Sequence, residues 1–125
     1  MPHLTPSSAP SRELHGVTFT SFASSRTGAA HLAAWRADFP PRTPGAAHAM
    51  SQEEVLNVVV GALDVEIDAE RFTARAGDAV LVPAGARFRI SNTTSQPAQA
   101  WVTTSLGMTV VMHDDGQVLA PPWAQ

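Results

Sequence analysis

The residues best suited to chemistry in this sequence are His48 and Glu54, in the segment 48–54. If both side chains face one apolar interior, the carboxylate can hydrogen-bond to the imidazole, fix its tautomer and raise its basicity. Burial beside Met50 and Phe88 is expected to raise the pKa of Glu54. The sequence therefore predicts that His48 and Glu54 form a catalytic acid–base pair. The alternative is a polar pair whose members satisfy each other and have no chemical role.

Large apolar residues are predicted to surround this pair as a ligand pocket. The segment 87–90 alternates arginine with an apolar residue, which indicates that Phe88 and Ile90 face the interior. The segment 30–39, taken as a strand closed by two prolines, places His31 and Trp35 on one face. The predicted pocket residues are His31, Trp35, Met50, Phe88, Ile90 and Trp101. Ordinary core packing is the alternative for the apolar members, and a position at the rim is the alternative for His31.

Short strands must position these side chains. The 10 prolines and 8 glycines favour many turns over long helices. Strands are predicted at 17–22, 30–39, 55–60, 63–67, 72–74, 79–82, 87–90, 101–105 and 109–112. Strands at this spacing, with no convincing helix, predict an all-β sandwich or small barrel. Residues 1–13 are rich in proline and serine and predict a flexible N-terminal arm before a single domain over 14–125.

Composition excludes several classes of function. The formal net charge is -3, and the 8 lysines and arginines form no run, so we expect no nucleic-acid partner. The sequence has no cysteine, which excludes disulfides and thiolate metal sites. Its apolar runs are too short to span a bilayer, and the segment 1–13 contains no apolar signal region. We therefore expect a soluble cytoplasmic protein with no membrane partner.

Two segments resemble the motifs of the cupin superfamily. The first motif, G-x5-H-x-H-x3,4-E-x6-G, reads here Arg42, His48, Met50, Glu54 and Gly61. The second, G-x5-P-x-G-x2-H-x3-N, reads Gly77, Pro83, Gly85, Phe88 and Asn92. The spacing is kept throughout, and only Arg42, Met50 and Phe88 depart from the motifs. Glycine and proline at fixed offsets encode turns that few other residues adopt, so the resemblance is specific for architecture.

The resemblance implies a cupin-type double-stranded β-helix, or jelly-roll barrel. Cupins with a metal generally use three histidines and one carboxylate, so a metal here would be held by His48 and Glu54. Methionine and phenylalanine replace the other two histidines, and we therefore expect no metal and no other cofactor. A divalent transition metal remains the alternative if His31 supplies a further ligand. Cupin barrels often pair through their sheets, which predicts a homodimer through the outer face near Val55 and Val59.

The predicted function is a metal-independent isomerase, cyclase or lyase acting on a small organic molecule. In this interpretation His48 moves the proton, and Glu54 orients it or acts as the acid. One alternative is a non-catalytic binding module for an apolar or aromatic metabolite. Another is a metal-dependent cupin oxygenase with a non-standard ligand set.

Overall fold

A computed structural model describes residues 2–125 as an all-β fold. Its strands are β1 Ser11–Leu14, β2 Val17–Ala23, β3 Leu32–Phe39, β4 His48–Met50, β5 Glu54–Val60, β6 Ala62–Ile67, β7 Glu70–Arg75, β8 Ala79–Val82, β9 Phe88–Ser91, β10 Ala98–Ser105, β11 Val110–Met112 and β12 Val118–Leu119. One-turn helices occur at Pro6–Ser8, Ser25–Thr27 and Pro122–Ala124. Over the described residues, no helix has the length and apolar character needed to cross a membrane.

The strands form two six-stranded antiparallel sheets that face each other. The first has the order β1-β2-β3-β10-β5-β8, and the second has the order β12-β11-β4-β9-β6-β7. Consecutive strands repeatedly change sheet, as between β4 and β5, which is the wrapping of a jelly roll. The all-β prediction is confirmed, and the arrangement is the jelly-roll barrel that the motif resemblance implies.

The core lies between the sheets because the strands alternate buried and partly exposed residues. Along β3, Ala33, Trp35, Ala37 and Phe39 are buried, and the residues between them are not. The second sheet contributes Leu63 and Val65 from β6, which are almost completely buried. Burying a Val, Leu or Phe side chain contributes roughly 1.5–3 kcal/mol relative to exposure. The strand prediction for 30–39 is thus correct, although β3 begins at Leu32.

The motif glycines occupy turns that require them. Gly61 joins β5 to β6 with φ 75°, and a Cβ there would lie 2.7 Å from the carbonyl oxygen of Pro97. A side chain at Gly61 would therefore be unfavourable for two reasons: the positive φ and the close contact with Pro97. Arg42, which replaces the first motif glycine, also has a positive φ of 56°. The substitution therefore leaves the left-handed turn in place at some conformational cost.

Asn92, the last residue of the second motif, holds the ends of three segments together. It is 1% exposed, and its Nδ2 donates to the carbonyl oxygens of Phe39, Pro40 and Gln96. Its Oδ1 accepts from the backbone N–H and the hydroxyl of Thr94. A single buried amide therefore satisfies loop backbone groups that would otherwise lose their hydrogen bonds.

Three strands were not predicted from the sequence: β1, β4 and β12. Strand β1 pairs with β2 through the two-residue turn His15-Gly16, in which both residues have positive φ. This is the geometry of a tight hairpin turn. The predicted boundary between the arm and the domain at residue 14 therefore cuts through a strand, and residues 11–13 belong to the first sheet. Met1, the first residue of the predicted arm, lies outside the described residues.

Candidate functional site

An apolar cavity of about 130 Å³ lies between the two sheets. Its aromatic walls are Phe19, Trp35, Phe39, Phe88 and Trp123. Among the described residues that line it, the titratable side chains are His15, His48 and Glu54, and the others are aliphatic, aromatic, methionine, proline or glycine. Any proton chemistry inside the cavity therefore depends on these three groups.

His48 enters the cavity from β4, in the second sheet. Its Nδ1 lies 2.7 Å from the carbonyl oxygen of Ala46. A carbonyl only accepts, so Nδ1 carries the proton in the neutral ring and Nε2 keeps a free lone pair. Burial lowers the pKa of His48; the hydrogen bond to Ala46 opposes this effect, and the nearby His15 adds to it. The result is a neutral imidazole with Nε2 available as a base.

The carbonyl that orients His48 belongs to a loop held tightly against β9. The N–H of Gly45 donates to Ser91 Oγ at 2.9 Å, and Arg89 Nε donates to the Gly45 carbonyl at 3.0 Å. A Cβ on Gly45 would overlap the carbonyl oxygen of Ile90. The missing side chain at Gly45 therefore allows the close contact that places Ala46, and through it the ring of His48.

Glu54 enters the cavity from β5, in the first sheet, and is 6% exposed. It pairs with Thr104 on one side and Val82 on the other. The Thr104 hydroxyl donates to the carbonyl of Glu53 at 2.6 Å and so does not serve the Glu54 carboxylate. Burial without a compensating partner raises the pKa of Glu54 to about 8. At neutral pH Glu54 is therefore mainly a protonated carboxyl group that can donate a hydrogen bond.

The predicted hydrogen bond between His48 and Glu54 is wrong. The two residues are close in sequence, but the chain crosses from the second sheet to the first between β4 and β5. A backbone carbonyl, and not the carboxylate, fixes the His48 tautomer. The predicted rise in the basicity of His48 is also wrong in direction, because burial dominates. The predicted rise in the pKa of Glu54 agrees with the structure.

Four of the predicted pocket residues line the cavity: Trp35, Met50, Phe88 and Ile90. Phe88 stands directly opposite His48 in the pairing of β4 with β9. The two rings meet edge to face, with centroids 5.4 Å apart and planes at 75°. The residue that replaces a motif histidine therefore packs on the remaining one.

The other two predicted pocket residues do not reach the cavity. His31 is exposed and precedes the first residue of β3, so it lies outside the alternation that directs Trp35 inward. Trp101 lies on the outer face of β10, because Ala100 and Val102 take the inward positions. Its ring packs on Phe22 at a centroid distance of 4.8 Å.

Two residues outside the predicted set also line the cavity, His15 and Trp123. His15 is exposed, as is Pro44 on the facing loop, so the cavity opens to solvent between them. The His15-Gly16 dipeptide was the available signal for His15, because it is a tight-turn sequence that can join two strands. No sequence signal placed Trp123 on the cavity wall.

Trp123 lies in the one-turn helix Pro122–Ala124, which contacts β2 and β3 of the first sheet. Its ring stacks on Phe19 with centroids 4.1 Å apart and an interplanar angle of 4°. Both rings also line an outer groove of about 550 Å³ that contains Arg12, Arg26 and Ser21. The stacked rings therefore separate the interior cavity from this groove.

The chain belongs to the cupin family. The sequence profile described as Cupin domain matches residues 35–105, which is more than half of the 125 residues. Among curated protein sequences, none matches this chain.

Solved structures with the same fold include enzymes. The chain is similar to a sugar phosphate isomerase of the cupin superfamily from Silicibacter pomeroyi, with 20% identity and a TM-score of 0.77 over 94% of this chain and 85% of that chain. It is similar to the polyketide cyclase RemF from Streptomyces resistomycificus, with 15% identity and a TM-score of 0.74 over 84% and 79%. It is also similar to an RmlC-like cupin from Shewanella frigidimarina, with 20% identity and a TM-score of 0.70 over 81% and 86%. These likenesses establish the fold.

The donor set at the family's metal position does not fit a three-histidine, one-carboxylate centre. His48 and Glu54 are kept, but Met50 offers only a soft thioether and Phe88 cannot coordinate. In residues 2–125, no three His, Cys, Asp or Glu side chains are grouped so as to hold a metal ion. The positions of the missing ligands are filled by buried apolar side chains, each 2% exposed.

Proposed function

We propose that this cupin is a metal-independent acid–base enzyme of the isomerase, cyclase or lyase type, acting on a small organic molecule. His48 Nε2 is the base, and the carboxyl group of Glu54 is the acid. The observation that carries the proposal is that a neutral imidazole with a fixed tautomer and an unpaired carboxyl group line one otherwise apolar cavity. They approach the cavity from different sheets, so a substrate bound in the cavity would meet the base and the acid on different sides.

The proton transfers balance without any further reactant. His48 Nε2 removes a proton from a carbon next to a carbonyl, and the C–H electron pair becomes a C=C bond. The carbonyl oxygen accepts the proton of Glu54 as its π electrons move onto it. In a substrate whose enol is conjugated with a second C=C bond, His48 returns the proton to the far carbon of that bond, the double bonds shift, and the hydroxyl proton returns to Glu54 as the carbonyl re-forms; this completes an allylic isomerisation. Positioned acid–base groups of this kind typically accelerate a step by about 10²–10⁴-fold.

Two structural neighbours support a proposal of this class. One is a sugar phosphate isomerase and another is a polyketide cyclase. Both names describe rearrangements of a carbon skeleton or its functional groups, which are reactions suited to proton transfer. At 15–20% identity this support concerns the class of chemistry and not the substrate.

Deuterium exchange into cyclohexanone tests the proposal without knowledge of the natural substrate. Cyclohexanone has a carbonyl acceptor and acidic hydrogens on the neighbouring carbons, and NMR in D2O follows their loss. We expect the wild type to accelerate exchange, and His48→Ala and Glu54→Gln to lower the rate about a hundredfold. His113→Ala and Glu53→Gln are matched controls, because both residues are exposed. Exchange at the wild-type rate in His48→Ala would contradict the assignment of the base.

Metal analysis completes this test. The protein is purified without an affinity tag, and its transition-metal content and exchange activity are measured before and after chelation. We expect the exchange activity to survive chelation. A stoichiometric metal whose removal abolishes the activity would instead favour a metal-dependent cupin with a non-standard ligand set.

A non-catalytic binding module is the second candidate, and the largely apolar cavity wall favours it. Such a module needs no base, so it would bind small molecules without exchanging their hydrogens. In that case His48→Ala and Glu54→Gln change affinity only, and the wild type shows no exchange above the buffer rate.

The oligomeric state is a separate part of the proposal: the protein is a homodimer through the outer face of the first sheet. Val55 and Leu81 are paired across β5 and β8 on this face, and Leu81 is 58% exposed. An exposed leucine beside a half-buried valine on a sheet face favours contact with a second copy. Analytical ultracentrifugation of the wild type and of Leu81→Lys tests this, since we expect a dimer and a monomer, respectively. A monomeric wild type at micromolar concentration would contradict it.

A further inference from the structure

The size of the cavity limits what it can enclose. Its volume is about 130 Å³, and apolar protein cavities of about 150 Å³ bind benzene. One ring with a small substituent therefore fits, and a fused multi-ring skeleton does not fit inside as a whole. The walls come from both sheets and are almost completely buried at Trp35, Leu56 and Val102, so enlarging the cavity would require repacking of the core.

The cavity wall offers no permanently charged cation to an anion. None of its lining residues is arginine or lysine, and none carries a hydroxyl or amide side chain. Transfer of a bare carboxylate or phosphate from water into such surroundings is strongly unfavourable unless a charged partner is present. His15 lines the mouth but is exposed, so an ionic contact there is made in solvent and not in the interior.

The arginines near the site are engaged elsewhere. Arg89 donates Nε to the carbonyl of Gly45, and its NH1 lies 3.8 Å from Glu66. Arg36 forms an ion pair with Asp38 at 3.0 Å. Arg12 lines the outer groove on the far side of the stacked rings. Phosphate recognition usually needs arginine, lysine or a helix N-terminus. No arginine or lysine lines the cavity, and the one helix that begins at its wall is a single turn starting with two prolines, which have no N–H to donate.

The two interior polar groups specify complementary features in a ligand. The Glu54 side chain lines the cavity with its hydrogen-bonding capacity unused by Thr104. The Nε2 of His48 likewise remains free, because Nδ1 is bound to Ala46. A ligand with an acceptor oxygen can engage Glu54, whereas a pure hydrocarbon leaves both groups unpaired, at a cost.

From these features we infer that the cavity selects uncharged molecules of about one ring that carry a carbonyl-type acceptor, and that it excludes carboxylates and sugar phosphates. This inference deepens the proposed function and rests on it for the choice of site. The ligand class inferred for this chain therefore differs from the sugar phosphate of the isomerase neighbour.

Three probes of the same shape and different charge test the selection. Benzamide is neutral, benzoate is an anion and benzamidinium is a cation at neutral pH. Titration calorimetry and ligand-observed NMR on the whole chain measure their affinities, with glucose 6-phosphate as a fourth probe. We expect benzamide to bind at least about tenfold more tightly than either ion, and glucose 6-phosphate not to bind. Benzoate or glucose 6-phosphate binding as tightly as benzamide would overturn the inference, as would the absence of benzamide binding at millimolar concentration.

A second comparison isolates the acceptor requirement. Toluene resembles benzamide in shape but has no acceptor, so the ratio of the two affinities measures the contribution of Glu54. We expect Glu54→Leu to reduce this ratio about tenfold. Glu54→Gln is expected to retain most of it, because the amide of glutamine can still donate. An unchanged ratio in Glu54→Leu would refute the role of Glu54 in selection. Retained toluene binding serves as the control that this variant is folded.

The outcomes distinguish this inference from the proposed function. If benzamide binds selectively and cyclohexanone is not exchanged, the ligand class stands and the enzymatic proposal fails. If cyclohexanone is exchanged and benzoate binds as well as benzamide, the enzymatic proposal stands and the ligand class fails.

Discussion

Replacing Glu54 by glutamine is predicted to change how protein stability depends on pH. Burial raises the pKa of Glu54 from 4.5 to about 8 in the folded protein. Between these two values the unfolded chain has lost the proton and the folded chain has kept it. Unfolding therefore releases a proton, and the free energy of unfolding falls as pH rises through this window. Below pH 4.5 the stabilisation that comes from keeping Glu54 protonated in the folded state is fully present, and above about pH 8 it has been lost.

The size of the effect follows from the two pKa values. Each pH unit of difference corresponds to about 1.4 kcal/mol, so the whole window is worth roughly 5 kcal/mol. Between about pH 5 and pH 8.5 the free energy of unfolding is expected to fall by about 4 kcal/mol because of Glu54. Glutamine is neutral at every pH and has nearly the same shape as protonated glutamate. We therefore expect Glu54→Gln to match the wild type near pH 5 and to exceed its stability by about 4 kcal/mol near pH 8.5.

Urea unfolding at a series of pH values measures this difference directly. The histidines titrate in the same range, but they are present in both proteins and cancel in the comparison. Glu53→Gln is the matched control, because Glu53 is exposed and adjacent in sequence. Its stability is expected to parallel that of the wild type. Parallel curves for the wild type and Glu54→Gln would refute the conclusion that the buried carboxyl group is protonated at neutral pH.

Other perturbations test the neighbouring parts of the site. Since burial lowers the pKa of His48, the wild type loses stability as pH falls below 6.5, and urea unfolding of His48→Asn is expected to show a smaller loss. Gly45→Ala is expected to cost about 1–3 kcal/mol in urea unfolding and to slow cyclohexanone exchange, because the new methyl group meets the carbonyl of Ile90. Asn92→Ala leaves buried loop carbonyls without a donor and is expected to lower the free energy of unfolding by about 3 kcal/mol. Trp123→Ala is expected to cost about 3–5 kcal/mol and to weaken benzamide binding; unchanged binding would contradict its place on the cavity wall.

The sequence predicts the strands well where apolar and polar residues alternate. Strand β8 is predicted with its observed bounds, Ala79–Val82, and Phe88 and Ile90 face the cavity as expected. Strand β1 is missed because three of its four residues are exposed, which leaves no apolar alternation to detect. Alternation also fails to say which face of a strand is inward. Trp101 was assigned inward, but the small residues of β10 take the buried positions.

Proximity in sequence was a poor guide to contact within the site. His48 and Glu54 belong to one motif, yet they arrive from different sheets, and each meets a different environment. The partner of the imidazole is a backbone carbonyl, and no side-chain pattern can encode it. The burial of Glu54 was predictable, since apolar residues flank both motifs. The position of His15 depends on the pairing of β1 with β2, for which the His15-Gly16 turn is a signal but the exposed residues of β1 give no apolar alternation.

The stacked rings of Phe19 and Trp123 line both the cavity and the outer groove. A molecule in the groove and a molecule in the cavity can therefore both contact the indole of Trp123. By thermodynamic linkage, a groove occupant that displaces Trp123 must change the affinity of the cavity, and a cavity ligand must change the affinity of that occupant by the same factor. An occupant that leaves the stack in place changes nothing inside. The position of one C-terminal side chain thus sets whether the two spaces act independently.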